Sequence, residues 1–282
     1  MSGLDQEATI RLAAFGGVLL VMALWEIAAP RRKLLMDKPR RWFTNLAIVV
    51  ADSLALRLLF PFLAVTMAEI AGDRGWGLFA LTDLPFWLEL VLAVVLLDLA
   101  IYGQHVASHK IPILWRVHQM HHADRDFDVT TALRFHPIEI ALSMLYKFAV
   151  IIVLGAPALG VLIFEVLLNG TAMFNHSNVR MPKALDRLIR SVVVTPDMHR
   201  VHHSVIQREH DTNYGFNLSV WDRLFRTYTS QPRDGHEGMT IGLNRYQTDS
   251  PTKLGWCLAL PFFRQGEPDA LPDAGESDRK EA

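Results

Sequence analysis

Residues 85–122 read PFWLELVLAVVLLDLAIYGQHVASHKIPILWRVHQMHH. The first half, Pro85 to Tyr102, is an apolar run interrupted only by Glu89 near its start and Asp98 near its end. A membrane-spanning helix needs about 20 mostly apolar residues to cross about 30 Å of hydrocarbon, and this run meets that need. The second half changes character at once. Five of the chain's twelve histidines lie between Gln104 and Ala123. A span that ends in a histidine-rich segment sets the reading of everything around it.

Working outward, Leu12 to Ala29 is nearly charge-free until Glu26, and Trp25 suits an interfacial position. Phe43 to Ala68 is long enough to span but carries Asp52 and Arg57. Ile138 to Phe174 is about twice the length of one span. Gly155-Ala156-Pro157 divides it, because proline removes a helical donor and clashes with the preceding turn, so the region reads as a helical hairpin. Lys147 and Glu165 should then face protein or water. The overall composition, 51% hydrophobic with a mean hydropathy of +0.19, is close to soluble averages, so the distribution decides and the mean does not. A soluble bundle with buried core helices is disfavoured because the runs are too long and continuous. A cleavable signal peptide is disfavoured because no small-residue site follows the first run before Arg31-Arg32-Lys33.

The fold expected is an all-α integral membrane protein. It has four to five transmembrane helices, including the hairpin, and a cytoplasmic histidine-rich helical cap. In segments, the expectation is N-terminal transmembrane helices over 1–103 and a first histidine-rich segment over 104–137. The hairpin follows over 138–176, a second histidine-rich segment over 177–264, and a disordered tail over 265–282. Sidedness follows from Arg31, Arg32, Lys33, Lys38, Arg40 and Arg41, which crowd the first loop and place it in the cytoplasm by the positive-inside rule. Counting spans from there puts both histidine-rich segments on the cytoplasmic face, of the inner membrane if the source is bacterial.

His105 and His109 are four apart, which on a helix sets them on one face. His118, His121 and His122 form an H-x-x-H-H group, and His199, His202 and His203 repeat it. Neutral imidazole is a ligand for iron, zinc, copper and nickel. A lone pair of this kind is as readily a solvated or hydrogen-bonded pair; three clusters at ligand spacing on one membrane face are not explained by packing. The site would sit at the bilayer surface, where a lipid can reach it sideways. The single cysteine, Cys257, excludes an internal disulfide and a thiolate cluster. A net charge of −1 gives no nucleic-acid footprint.

These boxes, in this order, resemble the fatty acid hydroxylase superfamily, the membrane group that includes sterol desaturases, sphingolipid hydroxylases and alkylglycerol monooxygenase. Arg134-Phe135-His136-Pro137 resembles the family's histidine-proline element, and Asn175-His176 its extra histidine after the hairpin. Asn213-Tyr214-Gly215 with Trp221-Asp222-Arg223-Leu224-Phe225 resembles its signature beyond the third box. The stretch from Thr195 to His203 is most similar to the bacterial and alkylglycerol-monooxygenase-like branch. The resemblance implies metal ligands at His105, His109, His118, His121, His122, His136, His176, His199, His202 and His203. They would hold two iron ions, with zinc as a substitute in purified protein. It further implies O₂ as oxidant, a membrane lipid as substrate, and hydroxylation of an unactivated C–H bond. One departure stands out: Arg226 occupies the place where the family shows glycine in Leu-Phe-Gly-Thr, and altered local geometry with no lost ligand is expected there.

A carboxylate behind a ligating histidine usually accepts its other N–H, and Asp98, Asp124, Asp197 and Asp222 are the candidates. Each also reads as a cap or an ion-pair partner. His210 and His236 match no box and read as surface residues. Residues 183–190 read as an amphipathic surface helix, and 254–263, too short to span, as a docking segment. No Gly-rich nucleotide motif is present, so electrons would come from a separate electron-transfer protein. Three other readings fit parts of the pattern. A desaturase would share the metal site. A histidine-rich transporter should carry its ligands inside the spans. A zinc hydrolase needs three protein ligands and a general base, and no H-E-x-x-H is present.

Overall fold

The computed structural model describes residues 3–264, so the tail at 265–282 lies outside the described residues. Among those residues the chain is helical throughout, with isolated bridges and no strands. The helices are α1 (Gly3–Ala28), α2 (Lys38–Leu59), α3 (Ala64–Asp73), α4 (Phe86–Lys110), α5 (Pro112–His122), α6 (Pro137–Leu154), α7 (Ala158–Asn175), α8 (Lys183–Arg190) and α9 (Pro196–His202). Four short ones follow: α10 (Gln207–His210), α11 (Val220–Leu224), α12 (Gly235–Gly238) and α13 (Leu254–Ala259). Five stretches are long and apolar enough to cross a membrane: Glu7–Ala28, Lys38–Asp73, Phe86–Lys110, Pro137–Leu154 and Ala158–Asn175.

The second of these is not one continuous helix. Phe60 is extended and α2 stops there, because the residue before a proline is driven out of the helical region and Pro61 follows. The hairpin turns at the expected place. Gly155 closes α6 at φ 66°, a left-handed conformation natural to glycine. The turn is also crowded: a Cβ on Gly155 would lie 2.3 Å from the carbonyl oxygen of Trp76.

α4 and α7 form the centre of the bundle, with α1 and α3 against α7 and α2 and α3 against α6. Gly160 lets α7 approach α4 closely; a Cβ there would sit 3.2 Å from that of Ala93. Small residues serve helix contacts in lipid in this way. Leu97, Ile151, Val161 and Phe164 fill the core between them. The outer faces expose large apolar side chains, among them Leu12, Leu20, Ile27, Leu58, Trp87 and Val153. A belt of that extent suits hydrocarbon, not water.

The first loop lies on the same end of the bundle as the histidines. Arg31 donates its backbone N–H to Asn178 at 2.8 Å, and Arg32 Nη1 donates to Met239 O at 2.9 Å. At the foot of α2, the fully buried Arg41 holds Asp124 and Asp128, each at 2.8 Å. The segment from Leu254 docks as expected: Cys257 and Leu260 pack on Ile48 of α2 and Met120 of α5.

Arg226 has φ 61°. The turn thus keeps a backbone that glycine adopts freely, and the expected change of local geometry gives way to side-chain strain of roughly 1–2 kcal/mol. Two outcomes follow for thermal unfolding in detergent. Arg226→Gly should raise the melting temperature by an amount matching about 1 kcal/mol. Gly155→Ala should lower it markedly, while Gly255→Ala, with nothing within 4 Å of its Cβ, should be nearly silent.

Candidate metal centre

Four structural pieces deliver the histidines. The last turns of α4 carry His105 and His109, α5 carries His118, His121 and His122, α7 ends at His176, and α9 with its cap carries His199, His202 and His203. Their nitrogens form two groups. His105, His109, His118, His122 and His202 bring one ligand atom each to within 4.8 Å of one another, and so do His121, His176, His199 and His203. Each H-x-x-H-H box is therefore divided. A helix advances about 100° per residue, so positions four apart point together while the neighbouring one points away. His118 and His122 face the first group and His121 the second; His199 and His203 face the second and His202 the first. The rings of His122 and His203 stack at 4.4 Å and join the two groups.

The protons on these rings are set by what lies behind them. A carbonyl oxygen only accepts, so a ring nitrogen facing one must carry the hydrogen. His105 Nδ1 donates to Tyr214 O at 2.7 Å, His202 Nδ1 to Thr212 O at 2.7 Å, and His176 Nδ1 to Ala172 O at 2.8 Å. Each then presents a bare Nε2 lone pair inward. His105 Nε2 and His202 Nε2 stand 3.0 Å apart with no proton between them. His176 Nε2 lies 3.1 Å from the Nε2 atoms of both His121 and His199. His118 Nδ1 donates to Glu139 Oε1 at 2.6 Å, and its Nε2 faces His122 Nε2 at 3.2 Å.

Adding protons is a poor remedy for this crowding. Burial first, and the neighbouring imidazoles second, hold His121, His122, His199, His202 and His203 well below 6.5. Burial takes His176 down to about 3. The rings are neutral at pH 7, and facing lone pairs in a buried site are unfavourable unless a cation accepts them. Two nitrogens about 2.1 Å from one metal and at right angles would be about 3.0 Å apart. The donor set, all imidazole, fits a first-row transition ion. Cys257 contributes nothing here; its Sγ accepts from Arg134 at 3.0 Å.

Nine of the ten candidate histidines come together, and His136 does not. Its Nδ1 accepts the backbone N–H of Ile138 at 3.1 Å, capping α6, and its Nε2 donates to Leu258 O at 3.1 Å. With both nitrogens used, it is a helix cap. The four aspartates also need correction, because none is hydrogen-bonded to a candidate ligand. Asp98 accepts from the Trp221 indole at 2.8 Å and from the N–H of Asn217 and Leu218. Asp222 accepts from the N–H of Tyr214 and Gly215, and so steadies the carbonyl that receives His105. Asp124 serves Arg41, and Asp197 pairs with Arg31 and Arg200. Instead, the groups behind the rings are Glu139 and three backbone carbonyls.

Two more histidines were misplaced by their polar flanks. His210 is buried against His122, His109 and Trp115, at ring distances of 4.6, 5.0 and 5.2 Å. His236 is buried beside Asp197, with 3.5 Å between Nε2 and Oδ2. A cavity of about 340 Å³ opens from His105 and His118 into the bundle, bounded by apolar side chains such as Leu56, Leu63, Met144 and Leu168.

Residues 90–227 match the family model described as fatty acid hydroxylase. Ornithine lipid hydroxylase OlsE of Rhizobium tropici is 29% identical over 262 residues, covering 89% of this chain and 75% of that protein. Alkylglycerol monooxygenase of Xenopus tropicalis is 28% identical over 178 residues and that of Homo sapiens 27% over 180. In both cases 61% of this chain is covered, and the chain spans 38% of the relative. No solved structure gives a significant match.

The buried histidines make a pH dependence of stability. In the unfolded chain they take up protons near pH 6.5; in the folded, metal-stripped chain they do not. Protons therefore favour unfolding, and stability present above pH 6.5 is lost as pH falls below it. Melting of the stripped protein at pH 8 and pH 5.5 should show a fall steeper than about 1.4 kcal/mol per pH unit, the slope for one proton. A flat profile would mean that the rings are not buried and neutral.

Proposed function

This chain carries a fatty acid hydroxylase domain over residues 90–227 and with it belongs to that superfamily, and we propose that it is a membrane-bound di-iron hydroxylase of a lipid. The proposed ligands are His105, His109, His118, His122 and His202 for one iron, and His121, His176, His199 and His203 for the other. The observation that carries this reading is the pair of bare Nε2 lone pairs of His105 and His202 facing one another at 3.0 Å, within two adjacent groups of converging imidazoles whose other Nε2 atoms stand 3.1 to 3.2 Å apart. Enzymes of this kind are oxidoreductases, and the relatives are named for a hydroxylase of ornithine lipid and a monooxygenase of alkylglycerol.

An unactivated C–H bond is inert to acids and bases, so bound iron would supply the redox chemistry with O₂. The net change is insertion of one oxygen atom into C–H. The other oxygen atom leaves as water with two electrons and two protons from a separate donor. The chain's own residues do the rest. Glu139 and the carbonyls of Tyr214, Thr212 and Ala172 orient the rings and keep their Nε2 lone pairs inward. The cavity holds the lipid beside His105 and His118 and keeps water from the centre. In this reading the membrane part is 1–103 and 138–176, and the cap is 104–137 and 177–264. The cap lies in the cytoplasm, which the basic first loop supports by resting on the cap through Arg31 and Arg32.

The test is lipid mass spectrometry of cells with and without the protein, grown under ¹⁸O₂. The expected product is heavier than its precursor by one oxygen atom derived from O₂. His121→Ala and His202→Ala should each cut its formation by roughly a hundredfold or more. His136→Ala should keep most of the activity, since its lost contacts are a helix cap. A product lighter by two hydrogens would make the protein a desaturase. No oxidised lipid from the unaltered protein would contradict the reading.

A further inference from the structure

Two acidic side chains line the cavity without a full set of partners. Asp52, in the middle of α2, is 9% exposed, and its Oδ1 has no hydrogen-bond partner. Glu139, in the first turn of α6, is 7% exposed; Oε1 receives His118, and Oε2 has none. The basic groups on the same cavity do not serve them. Lys147 is paired with Glu165, and Arg11 with Glu165 and Glu7. An ionisable side chain at membrane depth needs a partner, because leaving it bare in a low-dielectric site is costly.

We propose that Asp52 and Glu139 together bind the protonated primary amine of a lipid head group. The chemistry selects that class. Both free atoms are oxygens of carboxyl groups, which are pure acceptors when ionised, and a primary ammonium offers three N–H donors and the positive charge that holds them ionised. The cavity presents it with a carboxyl group from α2 and another from α6. A hydroxyl offers one hydrogen, and a quaternary ammonium offers none. Glu139 also fixes the register. Its other oxygen holds His118, so an amine on Oε2 lies one side chain from the metal centre. The carbons next to the amine then sit nearest the site of oxidation, and the hydrocarbon tail runs along Leu56, Leu63 and Leu168. Asp52 and Glu139 are thus specificity-determining residues for the hydroxylase proposed above, on which this inference rests.

The experiment is equilibrium binding of radiolabelled hexadecylamine, and of its neutral counterpart N-hexadecylacetamide, to the full-length iron-loaded protein in nanodiscs. Empty nanodiscs give the partition background. The unaltered protein should bind the amine about tenfold or more tightly than the amide, as expected for a charged hydrogen bond in a buried site. Asp52→Asn should remove that preference and leave amide binding and iron content unchanged, while Asp52→Glu restores part of it. Equal binding of amine and amide by the unaltered protein would overturn the proposal, whatever the variants do. So would an intact preference in Asp52→Asn. The two readings fail separately. Amine binding through Asp52 without any lipid oxidation sinks the hydroxylase and leaves this site, and oxidation without amine preference does the reverse.

Discussion

Neutral imidazoles do not willingly point lone pairs at one another, yet this fold forces them to. Behind His105, His202 and His176 stands a backbone carbonyl that takes the Nδ1 hydrogen, and so the inward nitrogen is left bare. Two of the carbonyls, those of Thr212 and Tyr214, belong to one loop, and the third, that of Ala172, to α7. None of those positions is free to move. Tyr214 is held by Asp222, Ala172 is part of α7, and Thr212 is tied back to α10 by its hydroxyl, which donates to Glu209 O. In the reading proposed above, a bound cation is what would accept these lone pairs.

The rest of the architecture serves this convergence. The bundle brings the ends of α4 and α7 to one level, and the close approach at Gly160 keeps them there. Asp98, inside the span of α4, fastens α11 and the residues just before it to that helix through Trp221, Asn217 and Leu218, and with them Asp222, which steadies the carbonyl that receives His105. Arg41 ties α2 to the segment after α5 through two buried carboxylates. Removing one member of such a group leaves a buried charge unpaired, which costs several kcal/mol. The loop after α1 closes over the second histidine-rich segment. The membrane part and the cap are therefore one mechanical unit, with the cavity running from the apolar interior to the centre.

Much of this was legible in the sequence, and the parts that were not share a cause. Spans and hairpin show because long apolar runs and a Gly-Ala-Pro break are local signals. The boxes show because helical spacing is local too. How each box divides between two centres follows from the same geometry, once the three box histidines are seen as pointing two ways. Partners behind the rings do not show. Backbone carbonyls leave no trace in residue identity, and Glu139, an acid in the first turn of α6, belongs to no box and lies 21 residues from the ring it holds. His136 sat in a family-like element and still became a cap, because the residue before proline is held extended and its ring folds back on the next N–H. His210 and His236 were read as exposed from polar neighbours, yet short helices of the cap bury single residues without periodicity. Arg226 keeps a glycine's backbone, which no side-chain identity announces.

The proposed enzyme depends on two metal positions made from two groups of imidazoles. Anaerobic titration of the metal-stripped, full-length chain with ferrous iron, followed by elemental analysis and X-ray absorption, measures this most directly. Two irons per chain are expected, in a shell of nitrogen and oxygen without sulfur. One iron should be lost when His118 and His202 are both changed to alanine, and the other when His176 and His199 are. Binding of a single iron by the unaltered chain, or two irons retained in both double variants, would contradict the proposal.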